Sequence, residues 1–254
     1  MKVLVSGIAA VALMSGSAWV VAEDAPPKWE ASAELGAINT TGNTETTSFN
    51  GKLDVIQNLE RWKNTFAASV LYKEDQVEND AGIESSEKTA EKYFASVKSA
   101  YLLTGEYGNL FGYASHTHDE FGSYRKYTTV SFGYGKRLIN AETLTLDAEI
   151  GPGYYWGDQV IDEDLGLVVQ EEGAMLRAAA DLKWTISENA TFTQKLGVEG
   201  GDDNTRVQSD TAVSTQISGS LQMKVGYSVT HDTDVAIDKE KTDTTTYINL
   251  VYNF

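Results

Sequence analysis

Three histidines, 37 carboxylates and no cysteine set the chemistry open to this 254-residue chain. Without a thiol there is no disulfide, no thiolate metal site and no cysteine nucleophile. A hydroxyl nucleophile needs a base and an orienting group in contact with it, and only His116, His118 and His231 could serve as that base. His116 and His118 are two residues apart, so on a strand they share a face and could form half of a metal site. Two ligands fall short of a zinc centre, and Asp119 has the opposite parity. The expectation is a pair of ordinary rim histidines, with no catalytic residue, no metal and no cofactor. The phosphate-cradling GxxxxGK[ST], the zinc-binding HExxH and the nucleophile elbow GxSxG do not occur.

The carboxylates are the second chemical feature. Against 20 Lys and Arg they give a formal net charge of −17, which repels phosphates and argues against nucleic acid as a partner. They are concentrated. Segments 74–91, 157–173, 200–208 and 231–243 together hold 20 acids and 4 bases, a net of −16. Asp162-Glu163-Asp164 supplies hard oxygen ligands of the kind Ca²⁺ and Mg²⁺ prefer, without EF-hand spacing. Cations are therefore candidate partners at these segments. The other reading is a solvated surface that keeps one face of the molecule soluble.

The elements that must position these groups alternate with period two along the chain. Leu176, Ala178, Ala180, Leu182 and Trp184 oppose Arg177, Ala179, Asp181 and Lys183, and Ile248, Leu250, Tyr252 and Phe254 oppose Tyr247, Asn249 and Asn253. That is strand alternation. About twelve such segments recur, near 28–41, 45–58, 63–74, 91–103, 109–119, 124–138, 143–156, 174–186, 190–200, 207–217, 220–231 and 243–254. Most have the ~10-residue core of a tilted membrane-barrel strand. Short connections (58–61, 104–108, 139–142, 187–189, 218–220) alternate with longer ones (75–90, 120–123, 157–173, 201–206, 232–242), except that the first long-side link, Thr41-Gly42-Asn43-Thr44, is tight. Trp29, Trp62, Tyr101, Trp184 and Phe254 fall by the short turns, and Tyr72, Tyr93, Tyr154 and Trp156 by the long ones, as interfacial girdles do. A soluble sandwich also alternates, but its strands are usually shorter and its enclosed face carries few charges. The expected fold is all-β: a transmembrane antiparallel up-and-down barrel of about 12 strands, with outer-membrane lipid and the barrel-assembly machinery as partners.

The N-terminus has the form of an export signal. Lys2 precedes a run of small and apolar residues through Val21, and Ala22 leads into Glu23-Asp24. This reads as a signal peptide, residues 1–22, leaving a barrel domain of 23–254 in the outer membrane of a Gram-negative bacterium. The competing reading is a membrane anchor, since the run comes close to spanning length.

Parity assigns the lumen. It points Glu30, Glu34, Asp54, Asp147, Glu149, Asp181, Glu199 and Asp210 inward, with Lys52, Lys73, Lys98, Arg125, Arg137, Arg177, Lys183, Lys195 and Lys224. Eight acids against nine bases nearly balance and could pair across strands. Taking Phe111 and Tyr113 as lipid-facing turns His116 and His118 inward or toward the rim, the wrong side for attack on a membrane lipid. About eight strands leave room only for side chains and about 16–18 leave an aqueous channel. Twelve lie between, so two readings stay open: a narrow path for ions or small polar solutes, and a closed structural barrel.

The chain resembles the family of salt-induced outer membrane proteins, a DUF481-like domain of unknown function from Gram-negative bacteria. The likeness is carried by Thr40-Thr41-Gly42-Asn43-Thr44-Glu45-Thr46-Thr47, Asp119-Glu120-Phe121, Gly133-Tyr134-Gly135, Ile150-Gly151-Pro152-Gly153-Tyr154, Lys241-Thr242-Asp243-Thr244-Thr245-Thr246 and Leu250-Val251-Tyr252-Asn253-Phe254, over nearly all of 29–254. It implies an outer-membrane barrel and carries no established catalytic or binding residue. Leu250, Tyr252 and Phe254 look like the terminal signal by which such barrels are recognised for assembly.

Overall fold

A computed structural model describes residues 27–40, 46–78, 84–104, 107–162, 167–235 and 239–254. The expected signal peptide, the Thr41–Thr44 turn, and Glu163 and Asp164 lie outside them. Among the described residues every regular element is a strand: β1 (Trp29–Thr40), β2 (Thr46–Asn58), β3 (Trp62–Glu78), β4 (Glu84–Leu102), β5 (Gly108–Asp119), β6 (Tyr124–Asn140), β7 (Leu144–Asp162), β8 (Leu167–Ser187), β9 (Ala190–Gly201), β10 (Thr205–Ser218), β11 (Leu221–Asp232) and β12 (Thr242–Asn253). Each pairs antiparallel with its chain neighbours, and β1 closes on β12 from Ser32↔Asn253 to Leu35↔Leu250, giving a twelve-stranded barrel. Closure removes both sheet edges, so the strands' backbone groups can be satisfied without water. An even count leaves Lys28 and Phe254 at the short-turn end, where Asn58 N–H donates to Lys28 C=O and Phe254 N–H to Ala31 C=O. The β10–β11 turn is tight, with Gly219 at φ +51°, a conformation glycine adopts without steric cost.

Burial is inverted relative to a water-soluble protein. Leu35, Phe132, Ile150, Leu176, Ile248 and Phe254 are exposed on the outer wall, while Glu34, Glu199, Arg206, Lys224 and Asp232 are buried. An apolar belt this continuous around a polar interior is the pattern of a barrel solvated by hydrocarbon. The expected girdles point outward at both ends: Trp62 packs edge-on to Tyr101 at 5.2 Å, and Tyr154 lies 4.9 Å from Trp156.

Two expectations are corrected. The connections assigned to 75–90 and 157–173 are largely strand: β3 and β4 remain paired out to Glu78↔Glu84, and β7 and β8 to Asp162↔Leu167. Beyond the membrane both strand faces meet water, so polar residues on both faces erase the alternation that marks a strand. Strand β5 is also turned over. Phe111 and Tyr113 face the lumen, beneath the Arg177 guanidinium, while His116 bonds the Thr128 hydroxyl on the outer wall and His118 lies beside the girdle residue Tyr93. The outward residues of β5 include Gly112 and Ala114, so hydrophobicity ranked its two faces the wrong way round; a one-residue slip inverts every side chain.

Candidate functional site

Inward-facing side chains pair across the lumen between strands that are not all neighbours. Lys98 on β4 pairs with Glu149 on β7, three strands away around the barrel, over β5 and β6. Arg177 on β8 lies 3.5 Å from the other Glu149 oxygen and 3.7 Å from Glu199 on β9, and its guanidinium lies 4.0 Å over the ring of Tyr113 on β5. The four charged groups sum to zero, and the Arg177 side chain is only 11% exposed. Cation–π cover on one side and carboxylates on the other leave the guanidinium little need of water.

A second layer closes the opposite wall. Lys224 on β11 reaches over β12 to Glu34 on β1 at 2.9 Å, and Asn249 Nδ2 donates to the other Glu34 oxygen. Asn50 on β2 donates to Asn249 at 2.9 Å, passing over Gly36, where an added Cβ would meet both Asn side chains. Tyr247 donates its hydroxyl to Asp210 on β10, over β11. Lys52 and Asp54, both on β2, pair at 3.0 Å. Nearer the short turns, Arg137 forms a two-pronged bond to Asp147 at 2.8 and 2.9 Å.

The most enclosed pair lies at the long-loop end. Arg206, second residue of β10, donates from Nε and Nη2 to both oxygens of Asp232, last residue of β11. The two side chains are 8% and 4% exposed. Arg206 is stacked 4.0 Å over Tyr127, which belongs to a buried group with Tyr124, Tyr155 and Met175. Asn204 fastens the layer, donating to Asp232 and accepting from the Thr233 and Asp234 N–H groups.

Of the residues singled out by parity, Lys52, Asp54, Lys98, Arg137, Asp147, Glu149, Arg177 and Lys224 are thus drawn into ion pairs. Asp181 stands opposite Lys195 in the β8–β9 register, and Lys183 and Lys195 are exposed toward the short-turn mouth. Arg125, the second residue of β6, sits at a register shift at the long-loop end, 3.3 Å from Glu120. Leu250, Tyr252 and Phe254 are exposed on the outer wall, the two rings 4.9 Å apart. Sequence reasoning missed Arg206 and Asp232, counted with the acidic loops, and Tyr113 and Tyr127, aromatic residues whose cation partners are far away in sequence. In the β3–β4 hairpin beyond the wall, Asp75 accepts from Lys73, Thr46 and Thr89, which holds its carboxyl below the usual range. His116 Nδ1 is bonded to the Thr128 hydroxyl at 2.8 Å.

Comparison with known proteins fits this architecture. The family model described as "Protein of unknown function, DUF481" matches residues 33–254. The uncharacterized protein YdiY of Escherichia coli K12 is 28% identical over 226 residues, covering 89% of this chain and 83% of that one. Among solved structures, an outer membrane channel from Pseudomonas putida F1 superposes with a TM-score of 0.52 at 11% identity, covering 91% of this chain and 97% of that one. The NanC porin covers 88% and 98% with a TM-score of 0.49 at 10% identity. The likeness to the Pseudomonas channel is one of fold.

Proposed function

The chain belongs to the DUF481 family, whose description assigns no activity, and from its lumen we propose an outer-membrane β-barrel passing ions and small polar solutes along a narrow, ion-pair-lined path. The observation that carries this reading is Arg177, held between Glu149 and Glu199 and capped by Tyr113. A plug has no need of charge: well-packed apolar residues are as stabilising as a buried ion pair, or more so. Neutral charge pairs at a constriction keep polar groups along a route that permeating ions and water would use. Export by a leader at 1–22, insertion by the barrel-assembly machinery and residence in a Gram-negative outer membrane belong to the same reading. So do cations gathered at the acidic outer segments, which suit an envelope bathed in salt. No catalytic step is assigned.

The enclosure of Arg206 and Asp232 favours a second reading, a closed barrel whose acidic loops are the working surface. Single-channel recording of refolded protein in planar bilayers separates the two. Small discrete steps are expected, and Arg177→Gln should raise their amplitude about twofold or more and shift selectivity further toward cations. Silence from protein shown to be folded by its heat-shifted gel mobility would discard permeation and leave the closed barrel.

A further inference from the structure

The lumen wall has an unfilled place beside its paired layers. On β8 and β9 the inward positions next to Arg177 and Glu199, one step toward the short turns, are Ala179 and Gly197, which stand opposite each other in the register. A Cβ added to Gly197 would meet nothing within 4 Å. Gln208, opposite Gly197 on β10, is exposed. One inward step further toward the short turns, Asp147, Asp181, Lys195 and Asp210 stand side by side across β7–β10. The outer two of these are engaged, Asp147 by Arg137 and Asp210 by the Tyr247 hydroxyl. Asp181 and Lys195 differ: among the described residues neither side chain has a hydrogen bond or an ion pair.

Residues directly opposite on an antiparallel pair have Cβ atoms about 4.5–5.5 Å apart, so these two unlike charges are close enough to act on one small solute. Leaving them open costs little where water reaches them, because an exposed ion pair is itself worth little. In the neighbouring layer Arg177 is closed in by Glu149 and Glu199. A wall that closes its charges in one layer, and leaves unlike charges open beside a small-residue floor in the next, has contacts to offer a solute. The chemistry selects which one. A bare cation drawn to Asp181 is repelled by Lys195, and a bare anion drawn to Lys195 is repelled by Asp181. An uncharged polyol gains hydrogen bonds assisted by charge on one side only. A small molecule with one ammonium and one carboxylate makes charge-assisted bonds to both groups, and it brings no net charge to the neutral layer around Arg177.

We propose that this part of the β8–β9 wall is a binding place for small zwitterions, with the solute's ammonium on Asp181, its carboxylate on Lys195 and its body over Ala179 and Gly197. It rests on the permeation reading above and gives that path a solute class. The test is swelling of proteoliposomes holding the refolded barrel, with free serine as the zwitterion and erythritol as an uncharged polyol of comparable size. KCl conductance is recorded from the same preparation. Through wild-type protein serine should enter about threefold faster than erythritol, the scale of two solvent-exposed charge contacts. Asp181→Asn combined with Lys195→Gln, which leaves the net charge unchanged, should bring serine down to the erythritol rate without altering heat-shifted mobility. Gly197→Leu, which fills the floor, should slow both solutes. Equal rates in wild-type protein, or KCl conductance with entry of neither solute, would overturn the zwitterion class. A serine advantage that survives the double substitution, or rates unchanged in Gly197→Leu, would overturn the site. Protein with heat-shifted mobility that passes neither solute and gives no KCl conductance would instead bring down the permeation reading itself.

Discussion

Several kinds of contact converge on Arg206. It gives two charge-assisted bonds to Asp232, lies over Tyr127, and has the Tyr124 ring 5.0 Å away. Removing one partner of such a pair strands the other charge, whereas replacing both by apolar groups of matching shape can be nearly neutral. Asp232→Asn should destabilise the barrel by about 3 kcal/mol, and Arg206→Met combined with Asp232→Leu should cost much less than the sum of the single changes. Urea unfolding from lipid vesicles, followed by the heat-shifted band, gives the full double-mutant cycle. An additive cycle would mean that the pair is not an energetic unit. Arg177 differs in kind: it shares two carboxylates and a tyrosine ring, so its replacement changes the lumen's charge as well as its stability.

At the level of the strand, β6 and β7 explain two of the family-like motifs. A Cβ added to Gly133 would fall 2.2 Å from Ile150 O and 2.6 Å from Gly151 Cα, and one added to Gly151 would fall 2.1 Å from Phe132 O. Backbone atoms cannot step aside as a flexible side chain can. Gly133 of Gly133-Tyr134-Gly135 and Gly151 of Ile150-Gly151-Pro152-Gly153 thus meet each other, beside a proline that has no N–H for the ladder. Gly133→Ala should force the strands apart and cost about 1–3 kcal/mol, the usual range for overpacking. The refolded fraction and the unfolding midpoint should both fall. Gly197→Ala, into open space on β9, should leave them unchanged, and equal behaviour of the two variants would refute the close approach as the reason for glycine. Strand β5 teaches the converse: with Phe111 and Tyr113 on one face and Gly112 and Ala114 on the other, its orientation is set by the arginine its aromatic residues cover.

For the whole molecule, charge is distributed along the barrel axis. The described parts of segments 74–91, 157–173, 200–208 and 231–243 lie at the long-loop end and are rich in carboxylates, while the enclosed lumen pairs Lys98, Arg177, Lys224 and Arg206 with carboxylates. An acidic mouth raises the local cation concentration, and salt screens it over about 10 Å at 0.1 M and about 3 Å at 1 M. A cation preference measured by reversal potential should therefore be clear at 0.1 M KCl and fall toward unity by 1 M. Selectivity unaffected by salt would place its origin at the constriction rather than at the mouth.

The sequence by itself determined the strand period, the count of twelve, the outward apolar face with its aromatic girdles, and the acidic end. Each of these follows from local alternation and from connection length, which any single strand or turn reports. It also marked Lys98, Glu149, Arg177 and Lys224 as inward-facing, because parity is a property of one strand. Only the tertiary structure decided which charge meets which. Lys98 and Glu149 are 51 residues apart and Glu34 and Lys224 are 190 apart, and barrel closure and shear bring such partners together across intervening strands. The same closure decided that Arg206 and Asp232 form a buried pair within the barrel rather than decorate a loop, and that Phe111 and Tyr113 point inward beneath Arg177. No periodicity within one segment encodes a contact between walls.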